Sequence, residues 1–112
     1  MAGAYCTKLL AGSGADVVKV EPPDTGESCR RLGLFVNGQQ GVEQSLVHLY
    51  LNVGKKSATL DLESTHGADI FRALAKEASV VVESFTPGRL AALGRTAPTA
   101  ATRAWTCTRR PW

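Results

Sequence analysis

The sequence predicts an α/β fold, on three observations. Two strand-like runs, residues 57–62 and 79–83, flank the most amphipathic segment of the chain, and a third run, 16–21, follows a helix-like opening. The run at 79–83 is apolar without alternation, the pattern of a strand buried on both faces of a parallel sheet. Strand 57–62, helix 65–78 and strand 79–83 then form one βαβ unit with a right-handed crossover.

Each element follows from local chemistry. Tyr5, Leu9 and Leu10 recur at helix-like spacing over residues 4–11, and Gly12-Ser13-Gly14 stops that helix. Val17, Val18 and Val20 make residues 16–21 a strand, closed by Pro22-Pro23 because proline has no N–H for a ladder. Residues 24–41 are rich in glycine and polar side chains and read as a loop. Leu46, Val47, Leu49, Tyr50 and Leu51 predict a short buried helix within 42–51, and residues 52–56 a turn. Residues 57–62 alternate with period two. Ser64 or Thr65 caps the next helix, whose apolar positions are Ile70, Phe71, Leu74 and Ala78.

The chain has 112 residues, of which 44% are hydrophobic and 21% charged, ordinary for a soluble globular protein. No apolar run approaches the roughly 20 residues of a membrane-spanning helix, and Lys8 interrupts the first apolar stretch, unlike a secretory signal. Cys6, Cys29 and Cys107 are odd in number and lack metal-ligand spacing, so they read as free thiols in a reducing cytoplasm, with no metal. The net charge of +3 comes from the end of the chain: Arg95, Arg103, Arg109 and Arg110 follow Gly94 with no acid, leaving −1 for the rest. This excludes the basic face of a nucleic-acid binder.

Most catalytic patterns are also excluded. Gly12-Ser13-Gly14 lies between a helix and a strand, whereas a dinucleotide fingerprint needs the strand first, so that helix N–H groups face the pyrophosphate. No serine sits in a Gly-x-Ser-x-Gly elbow. His48, among Leu46, Val47, Leu49 and Tyr50, reads as a core or interface histidine, and His66 as solvated. Two places keep chemical interest: Leu60-Asp61-Leu62-Glu63 after one strand, and Ser84-Phe85-Thr86-Pro87-Gly88 with Arg89 after the next. Carboxyl ends of parallel strands are where α/β proteins bind ligands, and there Phe85 offers a flat apolar face and Arg89 a phosphate partner.

Three ordered motifs add a family resemblance over residues 2–94. Gly14-Ala15-Asp16-Val17-Val18-Lys19-Val20-Glu21-Pro22-Pro23, with Gly26-Glu27 and Arg30 or Arg31 after it, resembles the opening signature of family III CoA-transferases. Asn52-Val53-Gly54-Lys55-Lys56-Ser57-Ala58-Thr59-Leu60-Asp61-Leu62 follows at the family's interval. Val80-Val81-Val82-Glu83-Ser84-Phe85-Thr86-Pro87-Gly88-Arg89-Leu90 comes next, before Leu93-Gly94. The resemblance implies a Rossmann-like large domain, present here in part and incomplete at both ends, and an interlocked homodimer. It implies coenzyme A as carrier, acyl-CoA and carboxylic acids as substrates, and a nucleophilic Asp outside the matched region. Its CoA-contacting backbone falls on Leu60, Asp61, Leu62 and Glu63 and on Ser84, Phe85 and Thr86. Where many members carry Arg after the Glu of the first motif, this chain has Pro22. A basic residue common after Pro-Gly falls on Ala92, and Arg89 stands in its place as the phosphate partner.

Residues 95–112 change character: Arg, Thr, Ala and Pro dominate, with both tryptophans. The family's Asn-Pro-Arg-Leu turn would fall near Thr102-Arg103-Ala104-Trp105, whose codons in the neighbouring frame can spell it. The segment reads as a basic low-complexity tail, disordered or out of frame. The same motifs also suit a racemase of α-methylacyl-CoA type, and a small CoA-binding or interaction module is the reading from another class. The family's first strand precedes the opening helix, so the 112-residue chain alone is expected to expose unpaired edges and aggregate. A cooperative thermal transition from a soluble monomer is the result that excludes this.

Overall fold

The computed structural model describes residues 1–94 and the backbone of residues 104–106. The chain divides into two compact units, Gly3–Thr59 and the residues from Leu60 onward.

The first unit opens with α1, Ala2–Gly12. Gly14, at φ +92°, ends it, and the Ala15 N–H donates back to the Leu10 carbonyl at 3.0 Å. Glycine reaches that left-handed conformation without the Cβ clash other residues meet, as the glycine pair implied. Strand β1, Val18–Glu21, stops at the two prolines, and β2 runs Lys56–Thr59. They pair in parallel from Val18 opposite Lys56 to Glu21 opposite Thr59. The expected loop holds two single-turn 3-10 helices, Ser28–Arg31 and Val36–Gly38. Helix α2, Leu46–Asn52, starts four residues later than the apolar run, because the Ser45 hydroxyl accepts the His48 N–H and sets the first turn. The centre of this unit is small and largely polar: Cys29, Leu51, Glu21, Ser45 and His48 are buried.

In the second unit the capping expectation holds. Ser64 caps α3, Thr65–Glu77, by accepting the Gly67 N–H at 3.0 Å. The buried stripe is Gly67, Ala68, Phe71 and Ala75; Ile70 and Leu74, expected inside, are 36% and 39% exposed. At Gly67 the missing Cβ lets the first turn of the helix lie against the Asp61 carbonyl. Strand β3, Val81–Glu83, is half-buried rather than covered on both faces. It pairs in parallel with β4, Ala104–Thr106, from Val81 opposite Ala104 to Glu83 opposite Thr106. The expected βαβ pairing is therefore corrected: β2 pairs with β1, and β3 with β4. The strand expected to reach Leu62 ends at Thr59, where the chain turns into the α3 cap. Helix α4, Arg89–Ala92, follows Gly88 at φ +83°. Of the tail, residues 95–103 and 107–112, including Cys107, lie outside the described residues.

A Cβ added at Gly67 would stand 1.9 Å from the Asp61 carbonyl oxygen, whereas at Gly12 it meets nothing within 4 Å. Gly67→Ala is expected to destabilise the protein by about 1–3 kcal/mol, the usual cost of overpacking. Gly12→Ala is expected to be neutral or to stabilise by up to about 1 kcal/mol, through helix propensity. Equilibrium urea unfolding of the two variants checks the contrast.

Candidate functional site

Among the described residues, two clusters of polar side chains are built, one in each unit. In the second unit, the turn after β2 and the turn after β3 meet through three of the residues singled out from the sequence. Asp61 Oδ1 accepts the Glu63 N–H at 2.9 Å, which tightens the turn leading into α3. The Arg89 N–H donates to the Thr86 carbonyl at 3.1 Å at the start of α4. From these anchored positions Arg89 Nη2 donates to Glu63 Oε1 at 3.2 Å, and the guanidinium lies 5.9 Å from the centre of the Phe85 ring. Phe85 is 43% exposed, leaving ring surface for a second planar group. Leu60 and Leu62 are half-buried, and Ser84 and Thr86 are exposed. The structure thus brings Glu63, Phe85 and Arg89 together, with Asp61 and Thr86 as backbone anchors.

The cluster in the first unit was not legible from spacing. Glu21, at the end of β1, is buried, and Arg30 grips its carboxylate with two N–H donors, at 2.8 and 2.9 Å. The Glu27 N–H and the Ser57 hydroxyl add bonds of 2.8 and 2.9 Å, and Lys19 Nζ lies at 3.2 Å. The Arg30 bonds hold the Glu21 carboxyl well below the usual carboxylate range, against the upward push of burial. Arg30 reaches on to Glu43, and Lys19 to Glu27. Around this network lies an open cleft of about 270 Å³, lined also by His48, Asn52, Lys55 and Lys56. The nearest sequence signal was the Gly26-Glu27 and Arg30 or Arg31 of the first motif.

His48 is a core histidine, as expected. Asn52 Nδ2 lies 3.0 Å from its Nδ1, so that nitrogen is the acceptor and the ring is neutral. Burial lowers its pKa first, and the charges of Arg30 and Lys19 lower it further. Cys29 Sγ lies 3.7 Å from the same nitrogen, and burial pushes that thiol up to about 11. Glu27, Cys29 and His48 place their donor atoms within 4.8 Å of one another, a spacing a metal ion would accept. The neutral thiol and the Lys19 ammonium on Glu27 instead suit a hydrogen-bonded core, since a cation there would face an established positive charge.

Parallel strands that turn into helices give the described residues the α/β class, in which ligands bind at the carboxyl ends of strands. Residues 1–104 match the profile of CoA-transferase family III, and the chain belongs to that family. It is 46% identical over 92 residues to the succinyl-CoA:(R)-benzylsuccinate CoA-transferase subunit BbsE of Thauera aromatica, covering 82% of this chain and 22% of that protein. It is 44% identical over 93 residues to the formyl-CoA:oxalate CoA-transferase of Afipia carboxidovorans, covering 82% and 21%. Among solved structures it resembles a CAIB/BAIF family protein from Brucella suis, with a TM-score of 0.72 and 34% identity over 90% of this chain and 26% of that one. The chain spans about a fifth of the length of these curated relatives.

Between neutral and acid pH, three groups with depressed pKa values, His48, Glu21 and Glu27, couple this structure to pH. A depressed pKa means the unfolded chain takes up a proton more readily, so stability falls with pH below the ordinary value. For His48 that loss begins below 6.5, and for Glu21 and Glu27 below 4.5. Urea midpoints are expected to fall in two stages across this range, and His48→Gln is expected to remove the first stage only.

Proposed function

We propose that this chain is the coenzyme A-binding, N-terminal segment of an enzyme that transfers CoA between carboxylic acids. The observation that carries the reading is the cluster of Glu63, Phe85 and Arg89 in a chain of this family. It joins the two turns to which the family's CoA contacts map. Backbone groups of residues 60–63 and 84–86 line the ligand, Phe85 offers a face for the base, and Arg89 is the cation for a phosphate. The relatives named above are transferases, as is a succinate–glutarate CoA-transferase of Agrobacterium fabrum that is 38% identical over 96 residues. This favours transfer over racemisation.

In that chemistry a carboxylate elsewhere in the whole protein attacks the acyl-CoA thioester, giving a mixed anhydride and CoA thiolate. The thiolate adds to the enzyme's own acyl carbon and expels the donor acid, leaving an enzyme-bound CoA thioester. The acceptor acid then repeats the two steps in reverse and regenerates the carboxylate. The role proposed for this segment is to hold CoA, with no residue of it as nucleophile. In the whole protein the reading includes an interlocked homodimer in the cytoplasm. Among the described residues, no helix is long and apolar enough to cross a membrane.

Phe85→Ala is expected to weaken CoA binding about ten-fold or more, the scale of a lost base–aromatic stack. Isothermal titration of CoA into the two proteins checks it, and unchanged affinity removes Phe85 from the site.

A further inference from the structure

The proposed coenzyme A surface carries charge of the wrong sign for its ligand. Within residues 60–63 and 84–89 the charged side chains are Asp61, Glu63 and Arg89, two acids against one base. Coenzyme A brings a pyrophosphate and a ribose phosphate. The one base is already engaged, since Arg89 Nη2 bonds Glu63 Oε1 at 3.2 Å.

We propose that Glu63 is a specificity-determining residue that holds down affinity for the phosphates of coenzyme A by competing for Arg89; this rests on the coenzyme A reading above. Both ends of the contact are anchored. The Glu63 N–H is bound by Asp61 Oδ1 and the Arg89 N–H by the Thr86 carbonyl. The two side chains therefore meet because their turns place them together.

A phosphate approaching Arg89 must displace this carboxylate or share the guanidinium with it, and in either case it meets a like charge. The side chains of Arg89 and Glu63 are 54% and 70% exposed, so water screens the pair and it yields to a stronger ligand. Glu63 therefore tunes binding and does not block it. Arg89 remains over Phe85 when the carboxylate is gone, because that contact does not pass through Glu63.

The experiment compares the wild type and Glu63→Gln by titration with CoA and with pantetheine, which lacks the phosphates. Glu63→Gln is expected to tighten CoA binding about two- to five-fold, the scale of an exposed ion pair. Pantetheine binding is expected to stay the same, and the gain to vanish in the Arg89→Gln background. Unchanged or weaker CoA binding in Glu63→Gln overturns the proposal, as does an equal gain for pantetheine. If CoA binding depends on Phe85 but not on Glu63, only this inference fails. If neither protein binds CoA, the coenzyme A reading fails with it.

Discussion

The Glu21 carboxylate sits at the end of β1 and is gripped from three directions. Arg30 comes from the first 3-10 turn, Ser57 from β2, and the Glu27 N–H from the loop between β1 and that turn. A two-stranded parallel ladder of four residues a side is too short to hold itself together, and parallel pairs are slightly weaker than antiparallel ones. The ion pair supplies the missing constraint by tying the connecting loop to both strands. Removing one partner of a buried, fully bonded pair typically costs about 3–5 kcal/mol, because the other charge is left stranded. For a unit with few buried apolar side chains, that is a large share of the total stability.

The same network decides what lies behind it. Burial first, and then the positive charge that Arg30 and Lys19 bring close, disfavour the protonated His48, so the imidazole is neutral and accepts from Asn52. Ser45 completes the arrangement. Its hydroxyl lies 2.8 Å from the Cys29 carbonyl and 2.7 Å from that of Leu32, while it accepts the His48 N–H. Loop, 3-10 turn and α2 are thereby joined through one small side chain. A buried polar network of this kind is stable only while every member has a partner.

The second unit relies on backbone fit. Gly67 allows the first turn of α3 to lie against the Asp61 carbonyl, and the Ser64 hydroxyl, 2.9 Å from that carbonyl, also caps the helix. The placement of Glu63 follows from this fit. Because the turn into α3 is tight, Glu63 stands where Arg89, at the start of α4, can reach it. Structural packing and the candidate ligand surface thus share the same few backbone bonds.

By itself the sequence determined the features whose causes lie within a few residues. The α3 cap at Ser64, the end of α1 at Gly14, the stop of β1 at Pro22-Pro23 and the α/β class all follow from side chains acting on their own backbone. The candidate turns at 60–63 and 84–89 were also legible, as the exits of two strand-like runs. Tertiary structure alone decided strand partners, the buried face of α3 and the pairing of Glu21 with Arg30. It likewise decided the contact of Glu63 with Arg89, 26 residues away. These depend on which distant groups arrive at the same place, and periodicity records only that a residue is apolar or charged. Ile70 and Leu74 looked like core by that measure, yet the buried stripe of α3 runs through Gly67, Ala68, Phe71 and Ala75.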